Sequence, residues 1–209
     1  AALELGGALV ARDVPVPASI GGRNGEHWFR FFARDVNDFG SYALTGDTDA
    51  GAGDDGFLLR DGVIAVREGD TVDGVTLGGR FMSVALNNAG QLAYVCGLLG
   101  SEVLVFEDRV VLRSGDAVDW DGDGVPEPTS LLITAGGFDG SLQLTEDGVL
   151  YFTASVSVNG GAPEGLFRLD TKRGSIGSPF CTSAQPNSTG VPGVLFARGS
   201  TRAADDDLT

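Results

Sequence analysis

Carboxylates at alternate positions carry the clearest chemistry in this sequence. The stretch Asp119-Trp120-Asp121-Gly122-Asp123-Gly124-Val125-Pro126-Glu127 puts acids at loop positions 1, 3 and 5, glycine at 6, a backbone carbonyl at 7 (Val125) and an acid at 9 (Glu127). That order is the first part of an EF-hand-type calcium loop. Alternate spacing lets the carboxylates converge on one hard cation, and the glycine permits the sharp turn. Without a cation, three clustered carboxylates repel one another. Ser130 stands where the bidentate glutamate of position 12 is expected, and no helical periodicity flanks the loop. The stretch therefore reads as a D-x-D-x-D-G loop of the extracellular calcium-repeat kind, with a solvated acidic turn as the alternative. The expected ligands are Asp119, Asp121, Asp123, Val125 and Glu127, and the expected cofactor is calcium.

Other reactive residues give weaker patterns. Asp47, Asp49, Asp54 and Asp55 form a second acidic loop, but their irregular spacing among Gly and Ala reads as a solvated turn rather than an ion site. His27 is the only histidine; a lone loop histidine beside Trp28 reads as incidental rather than as a general acid or base. The sequence contains no G-x-S-x-G elbow, H-E-x-x-H motif or P-loop. Acids are plentiful enough for a glycoside-hydrolase pair, but nothing in the sequence places two together. Trp28 lies in an alternating strand and reads as core. Trp120 lies in a loop, where its flat apolar face could stack on a sugar, and is the ligand-binding candidate. Cys96 and Cys181 are the only cysteines and read either as a disulfide or as two buried thiols. Asn187-Ser188-Thr189 has the form of a glycosylation sequon.

The elements that must carry these residues read as strands. From Phe81 to Asp116 the apolar runs Phe81–Leu86, Leu92–Leu99, Val103–Phe106 and Val110–Leu112 are separated by turn residues. The pattern has parallels. The segments VNDFGSYALT (36–45), LNNAGQLAYV (86–95) and LTEDGVLYFT (144–153) share an apolar residue, polar turn residues, a glycine and a strand. Their glycines stand at 40, 90 and 148, so the pattern recurs after 50 and then 58 residues; the insertion Asp119–Ser130 accounts for the difference. One four-stranded sheet cannot cover both of its apolar faces, whereas sheets stacked face to face can. The expected fold is all-β: a β-propeller-like array of four-stranded antiparallel sheets in about three repeat units (28–74, 80–118 and 140–170), closed or extended by strand exchange. An orphan strand at 8–13 is expected to complete the third sheet, whose fourth strand is missing, or to pair with another copy. Residues 1–173 form the repeat domain, and 174–209 a Ser/Thr/Pro/Gly-rich C-terminal segment with a strand at Val194–Ala197.

Composition narrows the partners. Glycine, at 33 of 209 residues, suits tight turns. The formal charge of −15 argues against nucleic acid and anionic membranes and suits cations. No run approaches the ~20 apolar residues of a transmembrane helix. The start AALELGGALVARD lacks a basic n-region and reads as a mature or trimmed form, and the end AADDDLT, without a capping signal, leads us to expect a longer natural chain.

The repeat resembles secreted bacterial tandem-repeat proteins that carry N-x-x-G-x-x-A-[FY] motifs followed by an R-x-G-D arm. The second unit matches through Asn87, Gly90, Ala93, Tyr94, Arg113, Gly115 and Asp116. The first matches through Asn37, Gly40, Ala43, Arg67, Gly69 and Asp70. The third is degenerate, with Thr145 in the Asn position, Tyr151 in the Ala position and no acidic arm. The tail resembles an NSTG-type C-terminal segment through Asn187-Ser188-Thr189-Gly190, Gly199-Ser200 and Asp207-Leu208-Thr209. The resemblance implies a propeller-like, exported protein and assigns no catalytic residue. The expected function is a non-catalytic, extracellular or cell-surface structural or adhesive protein, stabilised by calcium and self-assembling into homo-oligomers or filaments through open strand edges. A carbohydrate-binding module is the alternative, and a glycoside hydrolase with loop-borne acids the third reading.

Overall fold

Apolar runs punctuated by Asn, Gly and Asp become antiparallel strands, and no α-helix forms among the described residues. The computed structural model describes residues 3–5, 8–23, 25–118, 125–132, 138–157, 160–162, 164–171, 175–176 and 181–182; of these, 3–5, 8–10, 128–132, 138–141, 175–176 and 181–182 are described by their backbone only. The chain opens with a hairpin of β1 (Leu3–Leu5) and β2 (Ala8–Val10). The first sheet is a meander of β3 (Trp28–Val36), β4 (Tyr42–Thr48), β5 (Gly56–Arg60) and β6 (Val63–Arg67). A small hairpin of β7 (Thr71–Val72) and β8 (Val75–Thr76) leads to the second sheet. That sheet is again a meander, of β9 (Phe81–Leu86), β10 (Leu92–Leu98), β11 (Ser101–Phe106) and β12 (Arg109–Arg113). The third sheet gathers β13 (Ala117–Val118), β14 (Glu127–Leu132), β15 (Phe138–Leu144), β16 (Val149–Ser157), β17 (Glu164–Asp170), β18 (Ser175–Ile176) and β19 (Cys181–Thr182). None of the sheets closes on itself. No helix of the described residues is long and apolar enough to cross a membrane.

Hairpin chemistry is local. Arg60 pairs with Val63, leaving Asp61-Gly62 as a two-residue loop with φ of 47° and 84°. Positive φ at both central residues is the type I′ geometry, whose twist matches that of the strands. Asp73-Gly74 closes β7 and β8 in the same way, with φ of 48° and 74°.

The period of two in the strands decides the layering. In the second sheet, Ala93, Val95, Leu104, Phe106 and Leu112 point to one side, and meet Leu142, Leu150, Phe152, Ala154, Val156, Phe167 and Leu169 of the third sheet. The alternating set Leu92, Tyr94, Cys96, Val103 and Val105 points to the other side and meets Ala43 and Leu58 of the first sheet. Both faces of the second sheet are thereby covered. The far face of the first sheet carries Trp28, Leu44, Phe57 and Leu59, and is covered by Val14, Val16 and Ile20. The strand β9 lies between β3 and β15, so the first full strands of all three sheets are neighbours.

Two expectations about the strands are corrected. The segment Ala8–Val10 does not complete the third sheet. It pairs with Leu3–Leu5, and the chain after it docks beside the start of β3, with the Asp13 N–H donating to the Trp28 carbonyl at 2.8 Å and the Trp28 N–H to the Val14 carbonyl at 3.0 Å. Covering Trp28 is the apolar reason for this position. The fourth position of the third sheet is also filled, by the short pieces Ser175–Ile176 and Cys181–Thr182, both against β17. Val194–Ala197, expected as a strand, and the sequon at 187–189 lie outside the described residues.

Candidate functional site

Three turns of one design hold the sheets at one end. In the first, the Asn37 side-chain oxygen accepts the N–H groups of Phe39 (3.1 Å) and Ser41 (2.9 Å). In the second, the Asn87 oxygen accepts the Gln91 N–H at 2.8 Å. In the third, the Thr145 hydroxyl oxygen accepts the Val149 N–H at 2.9 Å. A side-chain oxygen that accepts the N–H four residues on therefore does one job in all three, and threonine can do it as asparagine does. Gly40, Gly90 and Gly148 take φ of 82°, 78° and 85°, which a residue with a Cβ rarely adopts.

The turns also grip one another. Asn37 Nδ2 donates to the Asn87 carbonyl at 3.0 Å, and Asn87 Nδ2 to the Thr145 carbonyl at 2.9 Å. The backbone N–H of Asp38 donates to Asn88 Oδ1 at 2.9 Å, and that of Asn88 to the Glu146 carboxylate at 3.0 and 3.1 Å. Asp35 Oδ2, on β3, accepts the Leu86 N–H at 2.7 Å, joining the first two sheets again.

The R-x-G-D arms are turn caps. Asp70 Oδ2 accepts the Arg67 N–H and Asp116 Oδ2 the Arg113 N–H, each at 2.7 Å. Arg67, unlike the exposed Arg113, has its guanidinium buried against Glu26, at 2.5 and 3.2 Å, and donates to the Gly21 carbonyl at 2.8 Å. This pair ties the N-terminal cover to the first sheet. Sequence reading missed it, because only the general rule that a buried charge needs a partner would have matched two residues so far apart.

The acidic loop at Asp47–Asp55 is a set of pairs rather than an ion cradle. Asp49 Oδ1 accepts the His27 N–H at 2.6 Å, and its Oδ2 lies 3.0 Å from His27 Nδ1. The His27 backbone donor, ahead of the ring, holds the Asp49 carboxyl below its ordinary value. Asp54 pairs with Arg23, which raises the guanidinium further. Glu68, nearly buried, accepts the Gly56 N–H at 3.3 Å. Burial, and then a hydrogen bond with Asp55, push its carboxyl up. Burial and the charge of Asp55 also raise Asp47, against the pull of Arg80 and Arg30. Glu68 and Asp55 touch, whereas a retaining glycosidase needs its acids ~5 Å apart to hold a sugar between them. No group of three or more metal-ligating side chains forms among the described residues.

The expected calcium loop joins β13 to β14, with Val118 opposite Glu127 and Ala117 opposite Leu131. Its ends are thus held together as an antiparallel pair. Val125 is exposed and Glu127 half-buried, while Asp119, Trp120, Asp121 and Asp123 lie outside the described residues. Trp28 is fully buried, as expected, against Phe57 at 4.9 Å between ring centroids. Its Nε1 and the Tyr42 hydroxyl have no hydrogen-bond partner among the described residues. Cys96 carries a buried free thiol, 3.3 Å from the carbonyls of Gly79 and Gly97, which burial pushes up to about 12. Cys181 sits opposite Leu166 on β17, and its side chain lies outside the described residues.

One more arrangement was not read from the sequence. Arg12 and Arg30 stack on Phe29 at 5.3 and 4.7 Å from the ring centroid, and Arg80 stacks on Phe32 at 3.8 Å. The available signal was the alternation of Phe and Arg along Phe29–Arg34. Compared with known proteins, the chain matches no family model and no curated protein.

Proposed function

We propose that this is a non-catalytic, exported structural or adhesive protein built as a propeller-like array of repeated four-stranded sheets. The observation that carries the reading is the ladder of three equivalent turns. Residues 50 and 58 positions apart meet directly, which is the sequence period of the repeat. The adjacency of β3, β9 and β15 supports the same reading, because inner strands gather about the axis of a propeller. The polar groups singled out for chemistry are engaged in architecture. His27 is tied to Asp49, Asp54 to Arg23, and Asp70 and Asp116 cap turns. That use of polar side chains favours a scaffold over an enzyme.

Calcium belongs to the proposal as a clamp on the β13–β14 connection, with Asp119, Asp121, Asp123, Val125 and Glu127 as ligands. Homo-oligomers or filaments through open sheet edges are the proposed assembly. Light scattering and calorimetry of the whole chain, with calcium and with chelator, test both. Chelation is expected to lower the melting temperature by ~4–8 °C, as loss of a ligand worth ~2 kcal/mol would. A monomer whose melting temperature ignores calcium overturns the clamp and the assembly together.

A further inference from the structure

The loop 49–55 joins β4 to β5 and has little to pack with. Ala52 is exposed, and a Cβ added at Gly51 or Gly53 would meet nothing within 4 Å. Carboxylates tie the loop down instead. Asp49 accepts the His27 N–H at 2.6 Å and lies 3.0 Å from His27 Nδ1, and Asp54 pairs with Arg23, so two ties run to the N-terminal cover. The third tie runs inward and joins two acids. Asp55, half-buried, is hydrogen-bonded to Glu68, which is 7% exposed and whose Oε2 accepts the Gly56 N–H at 3.3 Å. Two carboxyl groups in contact hold one another only through a proton between them; two ionised ones repel. The contact sits at the root of the loop, where the Thr48 N–H donates to the Asp55 carbonyl at 2.8 Å and the Glu68 N–H to the Gly56 carbonyl at 2.9 Å.

We propose that the Glu68–Asp55 contact is a proton-operated latch: with its proton it holds the loop 49–55 on the first sheet, and without it the loop is released while the sheets stay folded. Asp55 can turn to water and Glu68 cannot, so the loop is the part that moves. The surroundings favour the protonated form. Asp47, on β4, brings a further negative charge, on which Arg30 and Arg80 act; the Cys96 thiol, on β10, is neutral; and Arg67, next to Glu68 in sequence, is engaged with Glu26. Burial, and then the bond to Asp55, hold the Glu68 carboxyl above its ordinary value. A tie of this kind is complete below the ordinary carboxyl pKa and is lost as pH rises through the raised one. The Asp49 tie has the opposite sign: the His27 backbone donor holds that carboxyl below its ordinary value, so the tie is lost only in stronger acid. Rising pH therefore frees the Asp55 end of the loop and leaves the Asp49 end attached. The latch requires neither the calcium loop nor assembly.

Hydrogen exchange at single amides of the whole chain, followed from about pH 4 to about pH 8 and expressed as protection relative to the unfolded chain, tests the latch. The Thr48, Gly56 and Glu68 amides are expected to lose protection ~threefold or more as pH rises. The Gln91 amide, held by Asn87 in the second sheet, is expected to stay more protected than these three throughout. Glu68→Gln supplies an amide donor to Asp55 at every pH and an oxygen to the Gly56 N–H, and is expected to keep the loop protected across the range. Asp55→Ala removes the tie and is expected to show the low, alkaline level of protection at Thr48 and Gly56 at every pH. Protection at the three amides that ignores pH, that falls equally in Glu68→Gln, or that Asp55→Ala leaves at its acid level overturns the latch. So does protection equal to that of Gln91 at alkaline pH, since the three amides would then exchange only by global unfolding.

Discussion

Replacing Asn87 separates what holds a turn from what holds two sheets together. Asn87 is 2% exposed and its side chain makes three hydrogen bonds: from the Gln91 N–H at 2.8 Å, to Gln91 Oε1 at 2.8 Å and to the Thr145 carbonyl at 2.9 Å. At a net ~1 kcal/mol each, Asn87→Ala is expected to cost ~3 kcal/mol. Asn87→Thr copies what Thr145 does in the third turn. It keeps the oxygen that accepts the backbone N–H and loses only the two amide donations, so it is expected to cost ~2 kcal/mol. For a chain of this size those losses lower the melting temperature by ~6–12 °C and ~4–8 °C respectively. Asn87→Asp also keeps the acceptor, but sets a carboxylate against the Thr145 carbonyl and Gln91 Oε1. It is expected to be at least as harmful as alanine at neutral pH, and to recover in acid as the carboxyl regains a proton to donate. Urea unfolding with unchanged denaturant dependence, checked by calorimetry, measures all three. If threonine falls to the level of alanine, the turn acceptor contributes nothing. If alanine stays within ~0.5 kcal/mol of the natural chain, the ladder does not hold the sheets, and the reasoning fails at its base.

Glu68 and Asp47 are held above the ordinary carboxylate range, so the folded chain keeps protons that the unfolded chain has released. Their contribution is complete below the unfolded pKa values and lost as pH rises through the folded ones. Glu68→Gln, a permanent mimic of the protonated acid, is expected to raise the melting temperature at pH 7 by ~2–4 °C and to flatten its decline from acid to neutral pH; a fall at pH 7 refutes this. A Cβ at Gly46 would lie 2.1 Å from the Arg30 carbonyl and 2.7 Å from Phe57 Cζ, so Gly46→Ala is expected to cost more than ~4 kcal/mol, read as loss of the cooperative melting transition. Arg67→Met leaves the Glu26 carboxylate buried without its counter-charge, with the Arg23 N–H still donating to it, at an expected cost of ~3–5 kcal/mol; adding Glu26→Gln is expected to recover much of it in a double-mutant cycle.

The parts of the fold legible in the sequence are those decided within a few residues. Asp61-Gly62 declares its turn because few pairs tolerate positive φ twice. Asn37 and Asn87 declare theirs because a side-chain acceptor and a glycine at fixed spacing define the geometry. Partner choice is different. Ala8–Val10 reads as a strand, but sheet edges offer the same N–H and C=O groups, and its neighbour Leu3–Leu5 is too short to announce itself. Ser175–Ile176 and Cys181–Thr182 are likewise below the length at which periodicity speaks. Asp49, Asp54 and Asp55 lie in the expected turn, but Asp47 belongs to β4, half-buried between Arg30 and Gly56, and the pairing of the stretch with Arg23, His27 and Glu68 depends on contacts distant in sequence. Thr145 looked like decay of a motif. It keeps the acceptor and drops the amide donor, its hydroxyl donating within its own turn instead.

That dropped donor gives the ladder a direction. Asn37 hands a proton donor forward to the second turn; Asn87 receives one and hands another forward; Thr145 receives, and has no amide to pass on. The backbone donations from Asp38 and Asn88 run the same way. Apart from Asn88 Nδ2, which donates back to Asp38 Oδ2 at 2.7 Å, the donations run one way, so the series has unlike ends. Threonine thus ends the side-chain amide rungs at the third turn, whereas rungs made by backbone N–H groups, like those of Asp38 and Asn88, do not depend on this residue type.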